Sequence, residues 1–228
     1  MKYHSHKSNC FTLTELLVVM VIMIIVMSLV VPAFTSMGAG TAVDSAARMV
    51  STQLLLARNE AVARRAHVAV ILPGSTISSS SSDSSLYKYN SFRTAIVEGS
   101  GPYTIKEWVQ GTDWTFLPIK TTILTVHNAK PALLDASNKR SSSNAVPSGN
   151  TCSMVSDGTG SNQKVLDGQT NSSGIRAVVF KPNGSCVQTT YITIMEAVNT
   201  NGTLSGHNVD NFHVLEVNEY TGKTRFIY

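Results

Sequence analysis

The chain has 228 residues, of which 43% are hydrophobic, and its 18 basic and 14 acidic side chains give a formal net charge of +4. This length suffices for one globular domain and one additional segment. A net charge this small gives no argument for nucleic-acid binding by itself.

The most apolar part of the chain follows a short basic segment at the N-terminus. From Leu16 to Val31 the only polar side chain is Ser28, and with its flanking residues the run reaches roughly 20 residues, the length that crosses a bilayer. The preceding stretch MKYHSHKSNC holds Lys2 and Lys7 but no acidic residue. Positive charge on that side predicts a cytoplasmic N-terminus and an exported remainder.

The carboxylate of Glu15, at the head of the apolar run, leaves three interpretations open. A secretory signal peptide cut after Ala33 would have an unusually long apolar core with an acid inside it, and a plain signal anchor explains the length but not the acid. Cleavage between Cys10 and Phe11 explains both. The new α-amine of one subunit would neutralise Glu15 of a neighbour within the apolar core of a helical assembly, and pairing makes a buried charge tolerable. An acid within the membrane is by default a functional residue.

The stretch FTLTELLVVMVIMIIVMSLVVPAF, residues 11–34, resembles the class III signal of type IV prepilins and type II secretion pseudopilins. The resemblance implies that a prepilin peptidase removes the leader, residues 1–10, and that Phe11 becomes a methylated N-terminus. It also implies that Glu15 acts in assembly, and it includes Pro32 at the family's proline position. The chain departs from the family pattern at Cys10, where the residue before the cut is normally glycine.

Residues 35–66 are predicted to continue the helix outside the membrane. Pro32 has no N–H to offer the carbonyl of Ser28, which predicts a kink, and the glycines of MGAG at 37–40 weaken the helix further. Beyond them, apolar residues recur at steps of three or four and predict one buried face, widened by Leu55 and Leu56. The residues of this face are Val43, Ala47, Val50, Leu54, Ala57 and Ala61.

The end of this helix and three short motifs narrow the resemblance to the GspH/FimT branch of the family. Ala57, Arg58, Glu60 and Ala61 match the branch's ARxEA helix end, which leads into a first strand, here HVAVILP at 67–73. The stretches WTFLP (114–118), FKPNG (180–184) and TGKTR (221–225) resemble features of the branch's head. From the residues alone, the basic end of the helix also suits the negative pole of the helix dipole.

A β-rich head is predicted for residues 67–228, with loops at 74–85 and 135–174. The first loop is serine-rich and the second is mostly Ser, Asn, Gly, Thr and Asp, compositions typical of flexible segments. Segments rich in β-branched and aromatic residues predict the strands. These strands are expected at 86–97, 103–110, 115–126, 175–184, 187–197 and, as a final pair, within 212–228.

The sequence offers little catalytic or metal chemistry. Histidines outside the leader are scattered without ligand spacing, which excludes an argument for zinc, and no nucleophile elbow surrounds any serine, so we expect neither an enzyme nor a cofactor. Once the leader is removed, Cys152 and Cys186 remain as an even pair in an exported head. They predict a disulfide, with two free or unrelated thiols as the alternative.

The TGKTR motif raises the question of DNA binding. In the DNA-uptake members of the family, a Gly-Arg-x-Arg type of tail is associated with DNA, and Gly222, Lys223 and Arg225 match it with lysine in place of the first arginine. Two cations on a hairpin are able to contact phosphates, but lysine lacks arginine's planar fork. We expect instead a polar turn with solvated charges, beside the acidic Glu216 and Glu219.

The predicted fold is α+β and pilin-like: a long kinked N-terminal helix, transmembrane in its first half, packed on an antiparallel β-sheet head. The resemblance implies a minor pseudopilin of a type II secretion system, with a FimT-like type IV minor pilin for pilus initiation or DNA uptake as the alternative. Its partners would be the prepilin peptidase, other pilin-like subunits and the inner-membrane assembly platform. The chain would cross the bacterial inner membrane once, with the head in the periplasm. A signal-anchored periplasmic binding protein is the alternative from a different class.

Overall fold

The computed structural model describes residues 12–74, 84–100, 103–128, 154–156, 175–200 and 203–227. They fall into two compact units that divide between Ala39 and Gly40. The first unit contains the beginning of the helix α1, Leu13–Arg64, and the second contains its remainder together with all of the described strands. The sequence predicted a boundary between the apolar and exported parts five residues earlier, at 34/35.

In the first unit, the large apolar side chains of α1 from Leu13 to Met27 are exposed. The hydroxyl of Ser28, the polar residue in this run, donates to the carbonyl of Ile25 at 2.7 Å, so the helix itself satisfies it. Within the described residues, no helix combines the length and hydropathy that a membrane crossing requires. α1 is helical through Pro32, whose side chain lies outside the described set, and the predicted kink stays a prediction.

In the second unit, α1 buries the predicted face. Every residue of that face is at most 1% exposed, and Ala46 joins it, which confirms the helical period. The expected contribution of Leu55 and Leu56 is wrong, because these side chains are 53% and 55% exposed. At about 100° per residue, the two positions after Leu54 rotate away from the sheet.

α1 ends two residues before the predicted position. Arg65 adopts a left-handed backbone conformation with a φ of 53°, and the N–H of Ala66 donates to the carbonyl of Ala61 at 3.2 Å. This is the hydrogen-bond pattern by which a left-handed residue terminates a helix. Arg64, in the last turn, pairs with Glu60 one turn earlier. The chain then enters the first strand directly.

The described strands follow α1 in order, with one short helix among them. The bounds are β1 His67–Ile71, α2 Ser84–Tyr87, β2 Ser91–Glu98, β3 Tyr103–Trp108, β4 Thr115–Phe116, β5 Thr121–His127, β6 Met154–Ser156, β7 Ile175–Phe180, β8 Thr190–Thr200, β9 Thr203–Val217 and β10 Thr224–Phe226.

Five strands of the first sheet pair in a closed circuit. β1 lies between β2 and β7, β7 also pairs with β6, β6 with β3, and β3 with β2, while β4 extends the sheet from β2. The β3–β6 pairing is parallel, which departs from the antiparallel head that the sequence predicted. A second, antiparallel sheet has the order β10-β9-β8-β5.

Two apolar clusters follow from the alternation of side chains along the strands. Val68 and Val70 of β1 join the cluster that includes the buried face of α1 and residues of both sheets. Ala69 and Ile71 point the other way, into a second cluster formed by strands of the closed circuit, since successive side chains of a strand lie on opposite faces. This second cluster includes several alanines, as a narrow ring of strands requires.

Four boundaries of the predicted strands are corrected by the structure. β2 begins at Ser91 rather than 86, because Ser84–Tyr87 is helical. The segment 115–126 is interrupted at Lys120, which has a φ of 65°. β6 lies inside the predicted excursion 135–174, most of which is outside the described residues. β9 begins at Thr203 rather than near 212.

Candidate functional site

The predicted assembly residue Glu15 lies in the first turn of α1. Its carboxylate accepts the backbone N–H and the hydroxyl of Thr12, both at 2.8 Å, and the N–H of Glu15 donates to the hydroxyl oxygen of Thr12 at 3.3 Å. This reciprocal arrangement is a capping box, and the spacing of threonine and glutamate in TLTE is its ordinary sequence signature. This cap was not predicted from the sequence.

The processing residues lie outside the described part of the chain. This applies to both sides of the predicted cleavage, Cys10 and Phe11. The proposed contact between the Phe11 amine of one subunit and Glu15 of another therefore stays a prediction. Within the described residues, Thr12 donates two hydrogen bonds to one oxygen of the Glu15 carboxylate, Oε2, so an amine that bound the carboxylate would replace or join these hydrogen bonds.

Three of the branch motifs meet at one side chain, Arg58 of α1. Its Nε–H donates to the carbonyl oxygen of Gly184 at 3.0 Å and to that of Thr221 at 3.1 Å. Gly184 ends FKPNG and Thr221 begins TGKTR. In the sequence, Arg58 was singled out only as a matching residue of the ARxEA helix end, whereas in the structure it joins the helix to two turns of the head.

The two turns approach each other so closely that glycine is required. Gly184 and Gly222 have φ values of 81° and 61°, in the left-handed region that favours glycine. A Cβ atom on Gly222 would overlap the carbonyl oxygen of Gly184, and it would also lie 3.1 Å from Cδ of Arg58. The glycines of the two motifs thus allow the two turns to approach each other, and Arg58 donates hydrogen bonds to both turns.

The fourth motif, WTFLP, lies apart from this junction. The Trp114 ring packs edge-to-face against Tyr87 and Trp108, with ring centroids 5.3 and 5.8 Å apart. Arg93 stacks over Trp108 at 4.2 Å from the ring centroid. The motif therefore builds a partly exposed aromatic cluster beside β2 and β3, and it makes no contribution to the Arg58 junction.

The structure separates the two cations that the sequence singled out for DNA contact. Arg225 pairs with the carboxylate of Glu216 on β9, through Nε at 2.8 Å and a terminal nitrogen at 2.7 Å. Glu216 is 7% exposed, so the pair neutralises a nearly buried acid. Lys223 is exposed on the turn. Both cations are exposed on the expected polar turn, but the side chain of Arg225, 73% exposed, also pairs with Glu216.

The predicted disulfide involves one described cysteine. Cys186 is a buried free cysteine, and its thiol donates to the carbonyl oxygen of Val179 at 3.3 Å. Burial raises the pKa of this thiol above its ordinary value, opposed by weaker hydrogen bonds from Gln188, Val187 and Thr190. Cys152 lies outside the described residues, and its bond to Cys186 stays a prediction.

A further arginine, Arg176 of β7, joins the two sheets. Its guanidinium donates to the carbonyl oxygens of Leu72 and Pro73 at 3.3 and 2.9 Å, and to those of Leu124 and Ile123 at 3.1 and 3.4 Å. It also faces the ring of Tyr89 at 5.4 Å. No motif in the sequence pointed to this residue. An arginine alternating with apolar residues inside a strand was the available signal.

No group of described residues has the composition and proximity of a metal site. The residues that the structure does bring together at the Arg58 junction are hydrogen-bond donors and glycines, which fix one element to another.

Comparison with known proteins gives two structural likenesses. The type IV minor pilin FimU of Pseudomonas aeruginosa is similar over 82% of this chain and 88% of its own, with 16% identity and a TM-score of 0.41. The minor pseudopilin EpsH from the type 2 secretion system of Vibrio cholerae is similar over 81% and 94%, with 10% identity and a TM-score of 0.41. No protein-family model and no curated protein matches the chain. At these identities and TM-scores, the likenesses carry no argument for family or function.

Proposed function

We propose that this chain is a structural, non-enzymatic minor pseudopilin, which assembles through its N-terminal helix into the pseudopilus of a type II secretion system. The observation that carries the proposal is the change in environment along α1. Its first part exposes an apolar surface from Leu13 to Met27, whereas its later part buries one face against the head. One helix thus offers apolar surface to a membrane or to neighbouring helices while it carries a folded head.

In this proposal, the predicted processing and assembly residues act in order. The prepilin peptidase cuts between Cys10 and Phe11, Phe11 is methylated, and Glu15 pairs with the amine of a neighbouring subunit at the assembly platform in the bacterial inner membrane. The head is then periplasmic. A carboxylate in apolar surroundings gains most from a positive partner, which gives the subunits both a driving force and an axial register.

If the chain were instead a FimT-like minor pilin that takes up DNA, Lys223 and Arg225 would both have to contact phosphates. Arg225 pairs with Glu216 through Nε and one terminal nitrogen, and Glu216 is nearly buried. The charge of Arg225 is therefore already partly offset before any phosphate approaches. The geometry of the head therefore favours the secretion assignment over nucleic-acid binding.

The experiment compares Glu15→Ala with Ser28→Ala in the full chain. Glu15→Ala should lower the yield of assembled filament by at least about tenfold, because it removes the partner of the amine. Ser28→Ala is the matched control, because its hydroxyl is satisfied within its own helix and its loss should leave assembly unchanged. Assembly of Glu15→Ala at the wild-type yield would contradict the proposal and favour a signal-anchored binding protein.

A further inference from the structure

A groove of about 340 Å³ runs between the exposed side of α1 and the turn that joins β9 to β10. We call it the α1–hairpin groove. It lies next to the Arg58 junction, with which it shares Arg58 and Gly222. Its other lining residues are Ser51, Thr52 and Leu55 from α1 and Lys223 and Thr224 from the turn.

The floor of the groove presents a fixed positive charge. The Nε–H of Arg58 is held by the carbonyls of Gly184 and Thr221, which orients the guanidinium. In the part of the chain that the structure describes, the two terminal nitrogens of Arg58 make no hydrogen bond or ion pair. A guanidinium held in place by its Nε keeps four N–H donors for an acceptor that enters the groove.

The walls add one more cation, three hydroxyl groups and an apolar contact. The ammonium of Lys223 is exposed and makes no ion pair with a described residue. Ser51, Thr52 and Thr224 supply hydroxyls that donate or accept, and Leu55 is 53% exposed. A planar oxyanion such as a carboxylate can accept two parallel hydrogen bonds from an arginine. An apolar group of the same ligand could then pack on Leu55.

The charges around the groove favour one carboxylate over a polyanion. A nucleic acid needs a stripe of cations that follows its phosphates. Arg225, the next cation on this hairpin, is paired with Glu216, and Glu219 lies in the same turn, where its carboxylate accepts the N–H of Thr189 at 3.3 Å. On this hairpin, Lys223 is therefore the one described cation that makes no ion pair with a described residue, which is too few charges for a stripe.

We propose that the α1–hairpin groove binds an aspartate or glutamate side chain of a neighbouring pilin-like subunit, with an apolar side chain of that subunit packed on Leu55. The inference rests on the proposed function, since it takes the partner to be a subunit of the same filament. Arg58 and Lys223 receive the carboxylate, and α1 forms one wall of the contact. The groove thereby adds a charge-specific contact in the head to the one at Glu15.

The test places a photoreactive group in the groove of the full chain, in membranes of cells that assemble it. Leu55→benzoylphenylalanine is irradiated alone, with Lys223→Glu and with Lys106→Glu. The last variant is the control, because Lys106 is an exposed lysine on β3 that does not line the groove. Arg58 is left intact because its hydrogen bonds also stabilise the fold.

We expect a crosslink to an acid-bearing peptide of a pilin-like subunit. Lys223→Glu should reduce its yield by at least about tenfold, because it places a second carboxylate against the first and like charges brought together across an interface cost at least this much, whereas Lys106→Glu should not. Replacing the crosslinked acid by lysine should then restore the yield with Lys223→Glu. A crosslink that does not respond to Lys223→Glu, a crosslink to nucleic acid, or no crosslink would overturn the inference.

Filament yield is measured in the same membranes with Glu15→Ala. If assembly depends on Glu15 but the Leu55 crosslink does not depend on Lys223, the groove inference is overturned and the proposed function stands. If assembly does not depend on Glu15, the proposed function fails on its own measurement, whichever crosslink is found.

Discussion

The Nε–H of Arg58 donates to the carbonyl oxygen of Gly184, a residue 126 positions later in the chain, at 3.0 Å. The bond joins the helix that would assemble the filament to a turn of the head. A second bond from the same N–H, to Thr221, adds the neighbouring turn. Within the second unit, Arg58 therefore joins α1 to two turns of the head.

Replacing Arg58 tests how much this junction stabilises the head. Arg58→Met keeps the apolar stem but removes the donors, and hydrogen bonds from a charged group contribute about 1.5–3 kcal/mol. We expect the free energy of unfolding to fall by about 2 kcal/mol, measured by denaturant unfolding of the full chain in detergent.

The control is Arg48→Met on the same helix. The side chain of Arg48 is 72% exposed and, among the described residues, pairs with Asp44 one turn earlier, and exposed pairs of this kind contribute about 0.5 kcal/mol or less. Equal losses from the two substitutions would show that Arg58 is no more than a surface cation.

A substitution at Gly222 tests whether the two turns approach each other closely. Gly222→Ala meets a left-handed backbone and the carbonyl oxygen of Gly184, whereas Gly111→Ala meets a φ of 78° with no atom within 4 Å. The left-handed conformation alone costs about 1–2 kcal/mol. We therefore expect Gly222→Ala to lose about 2 kcal/mol more than Gly111→Ala, since backbone has to shift. Thermal unfolding that shows the same loss for both variants would contradict the geometry.

Glu196, in the hairpin of β8 and β9, is expected to make the stability of the fold depend on pH. Hydrogen bonds from Asn211 and Asn208, at 2.9 and 2.8 Å, lower the pKa of Glu196 below its ordinary value of 4.5. The unfolded chain then binds this proton more readily, so the stabilisation is present above that ordinary value and is lost as the pH falls through the folded value.

Glu196→Gln should therefore flatten the acid side of the stability curve. Unfolding followed by circular dichroism should show a weaker loss of stability on acidification than in the wild type, whereas Glu98→Gln, at the exposed end of β2, should keep the wild-type slope. An unchanged slope in Glu196→Gln would mean that other carboxylates govern the acid transition.

The sequence predicted the buried face of α1 because a helical period is a local property that needs no knowledge of the head. It did not predict the width of that face: Leu54, Leu55 and Leu56 are equally apolar, and only the position of the sheet decides which one is buried. Strand existence was predicted in a similar way, from β-branched and aromatic residues.

Two parts of the fold could not be predicted from the sequence, for physical reasons. The parallel β3–β6 pair joins segments about fifty residues apart, and β6 is only Met154–Ser156, too short for a periodic signal. The early part of β9 was missed because register shifts near Glu196 break the alternation between β8 and β9, as bulges do.

The candidate site, like the fold, was predicted from the sequence only in part. The position of Glu15 and the order of the branch motifs were visible in the sequence, but the meeting of Arg58 with Gly184 and Thr221 was not, because tertiary contacts bring it about. The pairing of Arg225 with Glu216 was not predicted, although Glu216 had been noted beside the motif.

The central claim, that this chain is processed and assembled as a pilin-like subunit, is tested most directly by the N-terminal mass of the protein recovered from membranes. The account predicts a mature chain that begins at methylated Phe11, which would leave its amine free to pair with Glu15 of a neighbour. A chain that still begins at Met1, or one that begins at Phe34 after removal of the whole apolar run, would contradict it.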